Sequence, residues 1–206
     1  MELIVIGAGP AYTDRRGAAA ASYLVRANGA ALLLDLGQGS FPNLAATLDP
    51  SELTAVVVSH LHPDHFIDLV PLRHYLRYEF DPPRHVRVLG PAGLGDRLDA
   101  LHALPGFAAA SLDVEHLAPG EMRIGPFLVE ARPVAHTDES YALRVSAAGP
   151  SGAGAGPGLV YSGDCSRADD LVPLIRPGDT LLSEASFGAG PVPAGAKHLN
   201  LSLIHI

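Results

Sequence analysis

The sequence predicts an α/β protein, and three observations carry that reading. The run Ala55-Val56-Val57-Val58 is continuously apolar and β-branched, as a strand buried on both faces would be. From Phe66 to Tyr78 apolar residues recur at helical spacing, so strand gives way to helix across a short loop. The same alternation of short apolar runs and helical patterns extends through two β-rich halves with helices between them.

In order, the pattern places strands at 3–6, 22–26 and 31–35, a helix at 41–48, and the strand at 55–59. After the loop and helix come a strand at 86–89 and a helix near 95–104. The second half reads as strands near 122–124, 127–133, 141–145 and 159–162, a helix near 168–175 and a strand at 180–184. Residues 147–158 are rich in Gly, Ala, Pro and Ser and read as a flexible loop between two strands. Gly7-Ala8-Gly9-Pro10 lacks the third glycine of a dinucleotide loop, and Pro10 spoils its turn into a helix.

The densest chemistry lies in Ser59-His60-Leu61-His62-Pro63-Asp64-His65, where His60, His62, Asp64 and His65 place four metal-competent side chains within six residues. They sit at the carboxyl end of a strand, where open α/β sheets place their sites. Alternate residues His60 and His62 can serve a first cation, while Asp64 and His65 turn toward a second. Imidazole and carboxylate ligands suit zinc, with manganese or iron(II) as alternatives. A lone histidine would ordinarily be solvated or hydrogen-bonded; three of the chain's 10 histidines in one loop, with an aspartate interleaved, point instead to a metal.

The H-x-H-x-D-H pattern resembles the signature of the metallo-β-lactamase superfamily. Further stretches recur in the order that resemblance implies: Leu34-Asp35-Leu36-Gly37-Gln38-Gly39, Ala135-His136-Thr137-Asp138-Glu139-Ser140-Tyr141, Tyr161-Ser162-Gly163-Asp164 and Ser183-Glu184-Ala185-Ser186-Phe187. The resemblance implies a four-layer αββα sandwich, with His136 as third histidine on the first of two divalent ions and Asp164 as the carboxylate bridging them. By position, His198 in Lys197-His198-Leu199-Asn200 matches the family's active-site histidine.

Within the superfamily the chain is similar to the ribonuclease Z-like branch, and most of all to compact bacterial phosphodiesterases of cyclic nucleotides. That implies a dinuclear hydrolase acting on small phosphodiesters or cyclic nucleotides through a metal-bridging hydroxide. Asp64 would orient the attacking oxygen, and His198 would stabilise charge or protonate the leaving group. The fold serves thioester and lactone hydrolysis equally well, and a metal-binding chain without activity is the third reading.

The family pattern continues past the active-site histidine with a helix and a strand ending in a seventh ligand. Here the chain reads Leu201-Ser202-Leu203-Ile204-His205-Ile206, so it is expected to be a single domain, 1–206, lacking the final helix and strand. His205 superficially resembles the last ligand but leaves no room for the intervening helix. His136 and Asp164 also stand too close in sequence to hold the arm with which ribonuclease Z grips transfer RNA, so no transfer RNA is expected as a partner.

Composition agrees. At 206 residues and 48% hydrophobic content the chain can bury one substantial core. No apolar run reaches membrane-spanning length and no basic region precedes a hydrophobic one, so no membrane partner and a cytoplasmic location are expected. A single cysteine excludes an internal disulfide; Cys165, beside Asp164, reads as a small buried residue that could still lie near the metals. A net charge of −8 argues against a broad polyanion-binding surface but is compatible with a small anionic substrate held by two dications. Arg73, Arg77, Arg84 and Arg87 cluster after the metal loop; Arg73 and Arg77 share a helical face, read as solvated, that could alternatively approach a phosphate. A homodimer is an admissible assembly.

Overall fold

A computed structural model describes residues 1–12, 14–148 and 156–204. The chain divides into two compact units, Met1–Leu117 and Ala118–Ile206.

The first unit is built on a six-stranded sheet, in order β1 (Glu2–Gly7), β2 (Ser22–Ala27), β3 (Ala30–Leu34), β4 (Ala55–Val57), β5 (Val86–Gly90) and β6 (Leu112–His116). β1, β2 and β3 are antiparallel; β3 to β6 run parallel. Asn28 and Gly29, both at positive φ (51° and 77°), close the β2–β3 hairpin with the backbone twist its strands need. The parallel strands require crossovers. These are α1 (Phe41–Thr47), then α2 (Pro63–Phe66) with α3 (Leu69–Tyr78), and α4 (Leu94–His102). Leu69, Leu72 and Leu76 on α3 and Leu94 and Leu98 on α4 pack with Leu33, Val56, Val58 and Val88 into one core.

The second unit holds a five-stranded sheet in order β11-β10-β9-β8-β7, from β7 (Gly120–Ile124), β8 (Phe127–Pro133), β9 (Tyr141–Ala147), β10 (Leu159–Tyr161) and β11 (Thr180–Leu182). β7 to β10 form an antiparallel meander, and β11 joins β10 in parallel. A buried bidentate pair, Arg144 to Asp179 at 2.7 and 2.8 Å, ties β9 to the approach of β11. α5 (Leu201–Ile204) follows. The expectations for His205 and for most of the 147–158 loop fall on residues outside the described ones.

Three expectations need correction. The helix read from Phe66 to Tyr78 is two helices, because Pro71 cannot donate to Ile67 and so confines the start of α3 to its own first turn. Asp68 at the break donates its N–H to Leu36 O and accepts from Phe41 N, which ties the break to the β3–α1 connection. The helix read near 168–175 is a single 3-10 turn, Ala168–Asp170, followed by turns; Pro173 removes a donor in mid-segment. Finally, β6 was not anticipated, since its alternation of buried Leu112 and half-buried Val114 with exposed Asp113 and Glu115 spans only five residues. Among the described residues no helix is long and apolar enough to cross a membrane.

Candidate metal centre

In the first unit the functional loop begins where β4 ends, and a buried carboxylate organises it. Asp35 leaves β3 with φ of 58°, a left-handed conformation uncommon outside glycine. Its side chain is fully buried and accepts three hydrogen bonds, from Ser59 N (2.6 Å), Ser59 Oγ (2.8 Å) and His65 Nδ1 (2.7 Å). Two residues on, Gly37 passes so close to the loop that a Cβ there would lie 1.8 Å from the Asp64 carbonyl oxygen. Only glycine fits that approach.

These contacts set the imidazoles. A carboxylate only accepts, so the His65 Nδ1 carries its proton and Nε2 is left with its lone pair, 3.7 Å from Asp64 Oδ2. Ser59 donates its hydroxyl proton to Asp35 and therefore accepts from His60 Nδ1 at 3.1 Å, leaving the His60 Nε2 lone pair 3.1 Å from His62 Nδ1. His60, His62, Asp64 and His65 are thus gathered as the spacing predicted. His60 and His65 are buried and His62 is exposed.

In the second unit His136, Asp164 and His198 come from three separate segments. His136 is buried and donates from Nδ1 to Lys197 O at 2.9 Å, with Nε2 3.6 Å from Asp164 Oδ2. His198 is half-buried, its Nδ1 3.2 Å from Glu184 Oε1 and 3.7 Å from Asp164 Oδ2. Asp164, Glu184 and His198 present ligand atoms all within 4.8 Å of one another. Glu184, however, already accepts from Cys165 N, Leu199 N and His198 through one oxygen and from Ser186 N and Oγ through the other. With its lone pairs committed, it positions His198 rather than offering itself as a ligand.

The donor set within each unit fits divalent metal. Zinc–nitrogen and zinc–oxygen bonds of roughly 2.0–2.2 Å let one ion touch two atoms up to about 4 Å apart. The His60–His62, Asp64–His65 and His136–Asp164 separations all satisfy this. His60, His65 and His136 each have the distal ring nitrogen tied to an oxygen, the arrangement that fixes tautomer and ring direction in metal-ligating histidines.

Asp35 and Glu184 were not recognised as functional in the sequence; each lay in a stretch marked by family resemblance, and only its hydrogen bonds reveal its task. The arginines after the metal loop are otherwise engaged. Arg73 is buried, not solvated, with Nε on Phe107 O at 2.8 Å and its guanidinium over the Phe107 ring. Arg77 lies over Tyr78, Arg84 binds Ser51, and Arg87 pairs with Glu115. Cys165 is fully buried in an apolar cluster, and desolvation pushes its thiol up to about 11, which bears out the bland reading.

By sequence the chain is 37% identical over 188 residues to an uncharacterised Mycobacterium leprae protein, an alignment covering 88% of this chain and 64% of that one. It is 25% identical over 182 residues to the probable metallo-hydrolase YhfI of Bacillus subtilis, covering 88% of this chain and 71% of YhfI. The crystal structure of YhfI, described as a metallo-β-lactamase fold protein, superposes with a TM-score of 0.80 at 23% identity, over 96% of this chain and 77% of that one. Human tRNase Z, short form, gives a TM-score of 0.75 at 23% identity, over 98% of this chain and 85% of that one. The two sheets and their helices thus form the mixed α/β arrangement of the metallo-β-lactamase fold, and at this identity the superpositions speak for fold alone. A family model described as the beta-lactamase superfamily domain matches residues 33–202, and the chain belongs to that family.

Proposed function

We propose that this chain carries the core of a dinuclear, metal-dependent hydrolase acting on small phosphodiesters or cyclic nucleotides. The observation that carries it is the shared setting of His60, His65 and His136, each with its Nδ1 anchored on an oxygen that fixes the direction of the ring. On the family pattern, His60, His62, Asp64 and His65 of the first unit and His136 and Asp164 of the second would be the residues that hold the divalent ions. Zinc fits this donor set best, with manganese or iron(II) as substitutes. Divalent ions so held supply Lewis-acid polarisation of a phosphoryl group and lower the pKa of water.

The chain's own groups do the rest. Asp64, a ligand with spare acceptor capacity, orients the attacking water by hydrogen bond. His198 is held through Nδ1 by the Glu184 carboxylate, which fixes the direction of its ring; Nε2 is then the nitrogen that serves the leaving oxygen. The partner is a small anionic substrate, not transfer RNA or membrane, and the setting is cytoplasmic; a homodimer is compatible with this chemistry.

One zinc-loaded preparation, with metal content measured, tests the reading against bis-p-nitrophenyl phosphate, cyclic AMP, S-lactoylglutathione and a lactone. Two ions per chain and faster turnover of the phosphodiesters are expected. Faster turnover of the thioester or lactone would replace the substrate assignment, and one ion without turnover would leave a metal-binding chain without activity.

A further inference from the structure

The phosphate-facing cation of an acidic chain should be conspicuous, and the arginines nearest the metal loop in sequence are committed elsewhere. One arginine does reach the loop. Arg97 on α4 donates from a guanidinium nitrogen to Leu61 O at 2.7 Å, and Leu61 separates His60 from His62. The approach is built into the fold: Gly90 ends β5 where a Cβ would strike Leu94 Cδ2 at 2.6 Å and Val58 Cβ at 3.3 Å, so α4 begins against the end of the strand that feeds the loop. Val58 N bonds Leu89 O at 2.7 Å alongside.

Two features separate Arg97 from an ordinary surface cation. Among the described residues it has no carboxylate partner, although Asp96 and Asp99 share its helix; Asp99 is occupied by Gly106 N and Ala108 N. It is also exposed, and one hydrogen bond to Leu61 uses only part of a fork of five N–H donors. A guanidinium held at one nitrogen and open at the others is preorganised for phosphate oxygens.

We propose that Arg97 is the specificity-determining residue for negative charge on the substrate, anchored at the metal loop through the Leu61 carbonyl. The inference rests on the phosphodiesterase reading, so it is tested by discrimination and by binding rather than by rate alone. Arg97→Gln keeps an N–H donor for Leu61 and removes the charge; Arg97→Lys keeps the charge. With zinc-loaded chains, the ratio of kcat/KM for bis-p-nitrophenyl phosphate to that for uncharged p-nitrophenyl acetate is expected to fall roughly tenfold to a hundredfold in Arg97→Gln, chiefly through KM. Arg97→Lys should recover most of it.

Calorimetric titration with inorganic phosphate should show the same order of affinities, with zinc content unchanged across the three proteins. An unchanged ratio and unchanged phosphate affinity in Arg97→Gln would overturn the proposal. So would an equal loss on both substrates accompanied by lost zinc, which would make Arg97 only a brace for the loop. If the unaltered chain hydrolyses neither substrate, the phosphodiesterase reading falls, and the phosphate titration alone decides whether Arg97 binds the anion.

Discussion

The two units organise their histidines by the same device at different depths. In the first, four candidate ligands stand within six residues and a fully buried carboxylate, Asp35, holds the loop by its backbone, its serine and its last histidine. In the second, His136 is set by Lys197 O and His198 by a more accessible carboxylate, Glu184, that gathers groups from Cys165, Ser186, His198 and Leu199. A buried orienter makes the first half rigid but unforgiving, since each orphaned partner there carries a desolvation penalty. The second half depends on many weaker ties and should degrade gradually.

The hardest test of that contrast is Gly37→Ala. Its Cβ would stand 1.8 Å from the backbone oxygen of Asp64, and backbone cannot rotate aside as a side-chain tip can. The expected cost is about 3 kcal/mol or more, with loss of metal from the first unit. Chemical denaturation together with zinc content checks it. A variant of near-normal stability that keeps its metal would show that the loop is less constrained than the second unit's.

Next come the two carboxylates themselves. Asp35→Ala strands Ser59 N, Ser59 Oγ and His65 Nδ1 in a site closed to water, so metal affinity should fall roughly 10- to 100-fold and stability by about 1–3 kcal/mol. Glu184→Ala leaves groups nearer to solvent and should cost less stability while impairing turnover through a misplaced His198. Zinc titration and thermal melts of the pair sharpen the comparison, and equal destabilisation would break it.

This contrast also explains what the sequence could and could not say. His60, His62, Asp64 and His65 were legible because spacing within one loop is itself geometry. His136, Asp164 and His198 were legible only through family resemblance, since nothing local distinguishes Ser-Gly-Asp from an ordinary turn. Asp35, Glu184 and Arg97 were invisible as functional residues because their meaning lies in backbone groups they meet far along the chain. The strands buried on both faces were read well. The helices broken by Pro71 and Pro173 were read too long, because apolar periodicity persists across a missing donor.

A smaller effect concerns acid. Arg144, with the N–H groups of Gly158 and Arg176, holds buried Asp179 down at about 2, below an ordinary 3.8. A depressed folded-state pKa contributes stability that is complete above the unfolded value and lost as pH falls through the folded one. Between about pH 4 and pH 2 the second unit should therefore lose about 2 kcal/mol through this residue alone. Asp179→Asn should already lack that contribution at neutral pH and show a flatter acid limb. Identical limbs in the two proteins would remove Asp179 from the account.

The smallest effect reverses the comparison, because here the exposed pair lies in the first unit. Arg87 and Glu115 bridge β5 and β6 with the same bidentate geometry, at 2.8 and 2.7 Å, and each raises or lowers the other's pKa in the expected sense. Their side chains are 37% and 49% exposed, against 3% and 1% for Arg144 and Asp179. Water and salt screen the exposed pair, so Arg87→Ala should cost only about 0.2–1 kcal/mol, and raising the ionic strength should shrink that difference. Arg144→Ala leaves a buried carboxylate uncompensated and should cost about 3–5 kcal/mol. Urea midpoints at low and high salt measure both. If the two substitutions cost the same, burial is not what separates the pairs, and the argument that depth makes Asp35 the less dispensable orienter loses its physical basis.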